Sequence, residues 1–342
     1  MRGLLNENQK IEILVLRKHL LENHIDIEPI LLPKSVLMFS RIKKFEGLKF
    51  RAWDLPSLRY INKKILRNDS QTIIVRLEKS MFSIVILCIA LVKLKKEVVV
   101  YHQRSIPEDS YILRLIQALL FKFMKWKCIS PVKKDSYQGP LEYECWIPFA
   151  TSVSSRITTI SNQQNRLTIV TIGKLVDRKN LNLVIEIFQK LNSSIFELCI
   201  IAENTTMEHS RTKSKLKDII EVKSKITFME NIDHQRVRSK LEQSHIFMLL
   251  SQNEPASVSN LEAMASGNLI IVGRDNGTAN YIQDKKGGHI VNYKEDEVIE
   301  ILRLIEERPD MVAEMGRVNL NDVKKNFENS IVSKLLIKFI EQ

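Results

Sequence analysis

Residues 245–267 read HIFMLLSQNEPASVSNLEAMASG. The run HIFMLL has the length and composition of a buried strand, and it spills into a polar loop carrying Glu254. A helical pattern opens near Ser257. In it Val258, Leu261, Glu262 and Ala265 fall at i, i+3, i+4 and i+7 on one face, which sets a carboxylate on an apolar stripe. A buried carboxylate without a donor costs roughly 1 to 3 kcal/mol, so Glu262 needs a partner. Two partners are open. Ser259 and Glu262 fit the Ser-x-x-Glu capping box, in which the carboxylate returns a bond to the helix start. The alternative is a ligand hydroxyl.

The same strand-then-helix pattern extends outward in both directions. Upstream lie LTIVTI, a helical stretch from Leu181 to Leu191, FELCIIA, a charged helix, KITFM and another helix; downstream lie NLIIV, HIV and C-terminal helices. After Gln71 the first half alternates TIIV, the segment Met81 to Val92, EVVVY, the segment Tyr111 to Trp126, and CISPV. Short apolar strands alternating with helices imply parallel sheets covered on both faces, and two series imply two sheets. The intervening FATSVSSRITTISNQQNR is polar and aperiodic, so the linker is placed there, giving domains 1–160 and 166–342. Nearer the start, a helix is expected from Ile11 to His24 and a strand from Ile27 to Leu32. In open parallel sheets ligands gather beyond the carboxyl ends of the strands, and Glu254 follows such an end.

A second strand end carries cations. In TIGKLVDRKN, residues 171–180, the strand ends at Gly173, Lys174 follows, and Arg178 and Lys179 precede the next helix with Asn180 as its expected cap. Cations oppose the dipole at a helix start by roughly 0.3 to 1 kcal/mol each, whereas a bound diphosphate reverses that sign. Surface lysines turned to water remain the other reading. A Walker A loop is excluded, because Leu175 follows Lys174 and the upstream glycine is missing.

With 342 residues and 44% hydrophobic content the chain can bury two cores. Cys88, Cys128, Cys145 and Cys199 lie far apart without a C-x-x-C pair, and are read as reduced core thiols rather than zinc ligands or disulfides. MRGLLNENQK lacks a secretory apolar core, and Met81 to Val92 is too short to span a bilayer. Residues 1–150 hold 26 of the 52 lysines and arginines against 15 of the 40 acidic residues, so nearly all of the +12 net charge lies in the first half. That excess could meet nucleic acid or an anionic membrane surface, or simply form a solvated basic face. The segment Tyr111 to Lys127 places Arg114, Gln117 and Lys125 on one narrow face with Trp126 beside broad apolar surface, a pattern of a core helix or of one resting on lipid.

GKLVDRKN followed by NEPASVSNLEAMASG resembles the C-terminal domain of family-four (group 1) retaining glycosyltransferases, which use nucleotide sugars. The shared features are the G-[RK]-L…K-[NG] turn, the E-x7-E pair Glu254 and Glu262, the E-A-M-A-x-G continuation, and Gly277. They run from about Leu167 to Val291. The resemblance implies an α/β GT-B fold, two Rossmann-like domains facing each other across a cleft. It implies that Lys179 binds the donor diphosphate with Lys174 beside it, that backbone amides of Ala256, Ser257 and Val258 support the phosphate, that Glu262 accepts the ribose hydroxyls, and that Glu254 faces the transferred sugar. In VVVYHQRS, His102 matches the family's histidine near the reacting sugar; Glu78 is a weaker candidate. Two features depart from the family: its opening strand and glycine-rich loop have no counterpart in MRGLLNENQK, and Ala202-Glu203-Asn204 stands where glycines line the nucleobase.

The expected activity is metal-independent, retaining sugar transfer from a nucleotide diphosphate sugar to a glycan or lipid-linked acceptor in cell-surface polysaccharide or lipopolysaccharide synthesis. No cofactor is expected, since lysines supply the countercharge and no D-x-D-like pair is present. The location implied is cytoplasmic, at the inner membrane face. Three other readings stay open: a glycosidase using Glu254 and Glu262, a GT-B domain that binds a nucleotide sugar without transfer, and a basic nucleic-acid-binding protein. The last lacks any recognisable binding motif, so no nucleic-acid partner is expected.

Overall fold

A computed structural model describes residues 14–15, 30–31, 72–76, 97–101, 127–133, 145–153, 166–205, 207–220 and 225–342. The chain divides into two units, Met1–Pro148 with Ser333–Gln342, and Phe149–Val332.

In the first unit β1 (Leu14–Val15) pairs in parallel with β2 (Ile30–Leu31). The strand expected at 27–32 contains β2; of the helix expected over Ile11 to His24 only Leu14 and Val15 are among the described residues, and these two are strand. Short apolar runs such as ILVL satisfy helical and extended periodicity alike, and the parallel partner decides between them. A second sheet is four-stranded and parallel in the order β3 (Thr72–Arg76), β4 (Glu97–Tyr101), β5 (Lys127–Ser130), β6 (Cys145–Trp146). Val99, Val100, Cys128 and Ile129 are buried in it, as expected of strands covered on both faces. The last residues of the chain meet this sheet: the Lys127 ammonium donates to the Phe339 carbonyl at 3.4 Å and lies 5.5 Å from that ring's centre. His102, Glu78 and the apolar segments 81–92 and 111–126 lie outside the described residues.

The second unit begins with β7 (Leu167–Lys174), a 3-10 turn (Asp177–Lys179) and α1 (Leu181–Leu191). It continues through β8 (Phe196–Glu203), α2 (Met207–Ile220), β9 (Ile226–Glu230), α3 (His234–Gln243), β10 (Ile246–Leu249) and α4 (Val258–Ala265). β11 (Leu269–Gly273), β12 (Gly288–Val291), α5 (Glu295–Glu307), α6 (Asp310–Asp322) and a π-helical turn (Val323–Phe327) follow, and α7 (Asn329–Glu341), most of which belongs to the first unit, ends the chain. Helix α1 shows how the pattern becomes packing: Leu181, Val184, Ile185, Phe188 and Leu191 recur at helical spacing, and all are buried. Beneath them Ile169, Leu198, Ile200 and Met248 fill the core from the strands.

All six strands are parallel, in the order β12-β11-β10-β7-β8-β9. The chain lays β7, β8 and β9 outward on one side, then returns through α3 to lay β10, β11 and β12 on the other. The order thus reverses between β7 and β10. Loops leaving the carboxyl ends of those two strands turn opposite ways, and in sheets of this kind the crevice between such loops is the usual ligand position. Those loops are the basic turn and the Glu254 loop.

Helix α4 ends where Gly267 takes φ 80°, with its N–H donating to Met264 and that of Asn268 to Ala263, which satisfies the free carbonyls. Gly316 of α6 sits directly over this turn. A Cβ there would lie 2.0 Å from the Gly267 carbonyl oxygen. We expect Gly316→Ala to cost about 3 kcal/mol, measured by chemical denaturation, since the backbone must move to admit one methyl. Burial raises the pKa of the free thiols Cys145 and Cys199; Cys199 is buried as expected of a core thiol, whereas Cys145 is only partly buried. No helix among the described residues is long and apolar enough to cross a membrane.

Candidate active site

The loop after β10 is held from both sides. The Gln252 N–H donates to the Arg178 carbonyl at 2.8 Å, Asn253 donates to Asp275 Oδ2 at 2.7 Å, and Gly277 donates to the Glu254 carbonyl at 2.9 Å. Asn253 adopts φ 49°, a left-handed conformation that asparagine tolerates, and this turns the chain toward the crevice. Glu254 consequently points inward and is only 6% exposed.

Its carboxylate meets the basic turn after β7. Arg178 Nη1 lies 2.7 Å and Lys179 Nζ 2.5 Å from the same oxygen, Oε2. Oε1 has no partner among the described residues. The Lys179 side chain is itself buried, its stem crossing Gly173, where a Cβ would stand 3.1 Å from Cδ. Loss of solvent lowers the Lys179 pKa; Glu254 pulls it back up, and Arg178 and Lys174 push it down. The desolvation is the larger effect, so Lys179 is a poorly hydrated ammonium poised for a better anion. Lys174, half-exposed at the strand end, pairs instead with Glu203 at 3.4 Å. Asn180 occupies the expected start of α1, yet in a left-handed conformation and without a side-chain capping bond.

Helix α4 also departs from expectation. Ser257 is its N-cap, accepting the Asn260 N–H, so the Ser259–Glu262 box does not form. Val258 is 44% exposed, while Leu261 and Ala265 are buried; the apolar stripe is rotated away from Val258 and Glu262. The Ser257 N–H reaches Thr278 Oγ1 at 3.3 Å, and Asn260 Nδ2 donates to the Thr278 carbonyl at 3.1 Å. Among the described residues this leaves the N–H groups of Ala256 and Val258 for an anion. Glu262 Oε1 lies 2.6 Å from His234 Nε2, the first residue of α3. The Glu262 carboxylate thus has a side-chain partner that periodicity within one helix could not reveal.

Glu254, Lys179 and Arg178 are brought into one cluster at the reversal point, with Ala256, Ser257 and Val258 following at the head of α4 and Glu262 one turn further along. His102 lies outside the described residues. Arg178, His234 and Thr278 were missed as site residues by the sequence reading. Only Arg178 carried a signal, its place beside Lys179 in the basic turn.

A parallel sheet whose strand order reverses between β7 and β10 defines an open, doubly wound α/β protein, the class in which ligands bind at the reversal point. The model of the family described as Glycosyl transferases group 1 matches residues 157–320, most of the second unit, and over that segment the chain is similar to group 1 glycosyltransferases. Over 137 residues it is 31% identical to a probable sucrose-phosphate synthase from Thermosipho melanesiensis, a match covering 39% of this chain and 32% of that relative. The matched segment thus spans about a third of the relative's length. Among solved structures, sucrose-phosphate synthase from Thermosynechococcus elongatus aligns with a TM-score of 0.70 at 13% identity, covering 92% of this chain and 82% of that one. Anabaena HepE in complex with UDP and glucose aligns with a TM-score of 0.67 at 12% identity, covering 83% and 81%. The fold class is GT-B.

Proposed function

We propose that the protein is a retaining, metal-independent glycosyltransferase that moves a sugar from a nucleotide diphosphate donor to a glycan or lipid-linked acceptor. The observation that carries this reading is the buried Glu254 carboxylate, held on one oxygen by Arg178 and Lys179 at the reversal point of a segment similar to group 1 glycosyltransferases. The donor diphosphate exchanges with Glu254 for the Lys179 ammonium, beside the Ala256 and Val258 amides. As the bond from the sugar to the phosphate breaks, negative charge grows on the leaving diphosphate, where these donors are already oriented and need no reorganisation. Glu254 keeps Arg178 and turns its open oxygen to a sugar hydroxyl. The acceptor hydroxyl attacks on the face that the diphosphate leaves and gives its proton to the departing phosphate oxygen. Glu262 takes the ribose. The acceptor belongs to cell-surface glycan assembly, with the basic first half against an anionic inner membrane face.

The reading is tested by thermal shift and calorimetry against UDP-, GDP- and ADP-sugars, followed by a transfer assay with the donor that binds. One of them is expected to raise the melting temperature in proportion to its occupancy. Glu262→Ala should weaken that donor about tenfold to thirtyfold, the cost of two unmade ribose hydrogen bonds. Failure of every sugar nucleotide to bind would reject the proposal.

A further inference from the structure

We propose that His234 is a positioning residue for Glu262 and, through it, sets the preference for a ribonucleotide over a 2′-deoxyribonucleotide; this rests on the donor reading just given. The contact joins two helices. Asp233 caps α3 by accepting the Arg236 N–H at 2.8 Å, which fixes the direction of the first helical residue, His234, and its ring reaches across to α4. Nε2 lies 2.6 Å from Glu262 Oε1. An ionised carboxylate can only accept, so Nε2 carries a hydrogen whether the imidazole is neutral or charged.

Two consequences follow for the carboxylate. A long, partly exposed glutamate samples several rotamers, each of which turns its oxygens differently. The His234 N–H selects one. It also leaves Oε2 without a partner among the described residues and one lone pair of Oε1 available, two acceptor sites on one edge. A vicinal diol presents two hydroxyl donors at matching separation. The 2′-deoxy sugar presents one, and the aligned second acceptor is then of no use. His234 therefore acts on the hydroxyl pair as a unit, although it need not touch the nucleotide.

The test measures calorimetric affinities of the full chain for UDP, GDP and ADP and for their 2′-deoxy counterparts, taking the base that binds best. His234→Ala should raise Kd for the ribonucleotide about fivefold to tenfold, the scale of one charge-assisted bond at a half-exposed site. The 2′-deoxynucleotide should lose less than about twofold, since the alignment no longer matters to it. His234→Gln, whose amide nitrogen can stand where Nε2 stood, should recover most of the loss. In the transfer assay the defect should appear in KM rather than kcat. Equal losses for both sugars, or no loss on His234→Ala while Glu262→Ala does weaken binding, would overturn the role of His234 alone. If none of the three nucleotides binds, or Glu262→Ala binds as well as the parent, the donor reading falls and this inference with it.

Discussion

Lys179→Ala should lower kcat/KM for the donor about a thousandfold, equivalent to roughly 4 kcal/mol of transition-state stabilisation. The size follows from burial. Lys179 is 9% exposed, so its charge acts through little water, and its partner Glu254 is 6% exposed. An ammonium in that position attracts a developing phosphate charge far more strongly than a surface lysine does. Lys179→Met is the cleaner variant for stability. It removes a buried charge while Glu254 keeps Arg178 at 2.7 Å, so unfolding free energy should change by less than about 1 kcal/mol. The lowered pKa of Lys179 adds a pH signature. Between its folded value and the unfolded value of about 10.4 the unfolded chain binds more protons, so the cost of burying the ammonium is relieved as pH rises through that window. Donor affinity falls over the same range, because the neutral amine no longer attracts diphosphate. In Lys179→Met both trends should flatten. A folded Lys179→Ala protein with parental kcat/KM would remove this residue from the site.

Glu254→Ala should lose transfer at least about a hundredfold and, unlike Lys179→Met, should also destabilise the fold by about 3 kcal/mol. The asymmetry is physical. Removing the carboxylate leaves the Lys179 ammonium buried with Arg178 as a like charge nearby and nothing to offset the lost hydration. Glu254 is among the causes that raise the Lys179 pKa, so its removal should drive that pKa further down. Glu254→Gln keeps the shape and one acceptor while deleting the charge, and should fall between the two in stability yet transfer as poorly as alanine. Denaturant midpoints with initial rates separate these outcomes. Full activity in Glu254→Gln would show that the charge does not serve transfer.

Much of this was legible in the chain. The buried strand HIFMLL became β10, the helical spacing from Leu181 to Leu191 became α1, and both coincide with their expected spans to within two residues. These segments have one periodicity each and flanking turn residues that agree with it. The resemblance to group 1 glycosyltransferases rested on residues 167–291, which lie inside the segment matched by the family model. Where a short run satisfied two periodicities, as around Leu14 and Val15, the two described residues are strand and not the expected helix.

The partner of Glu262 shows the same limit in the site. Ser259 stood three residues away and offered a local answer, but the helix was capped by Ser257, and the carboxylate went to His234, 28 residues earlier. Lys174 likewise turned to Glu203 on the neighbouring strand.

What the sequence alone determined was the set of parallel strands and helices in the second unit, the position of two charged loops at strand ends, and the family to which they point. Periodicity and turn chemistry are local, so a single chain displays them. Only the tertiary structure decided that β7 and β10 are neighbours, and hence that Glu254 shares one oxygen between Arg178 and Lys179 from 76 and 75 residues away. Such pairing depends on strand order and on the desolvation it imposes, neither of which is written in the spacing of residues along either loop.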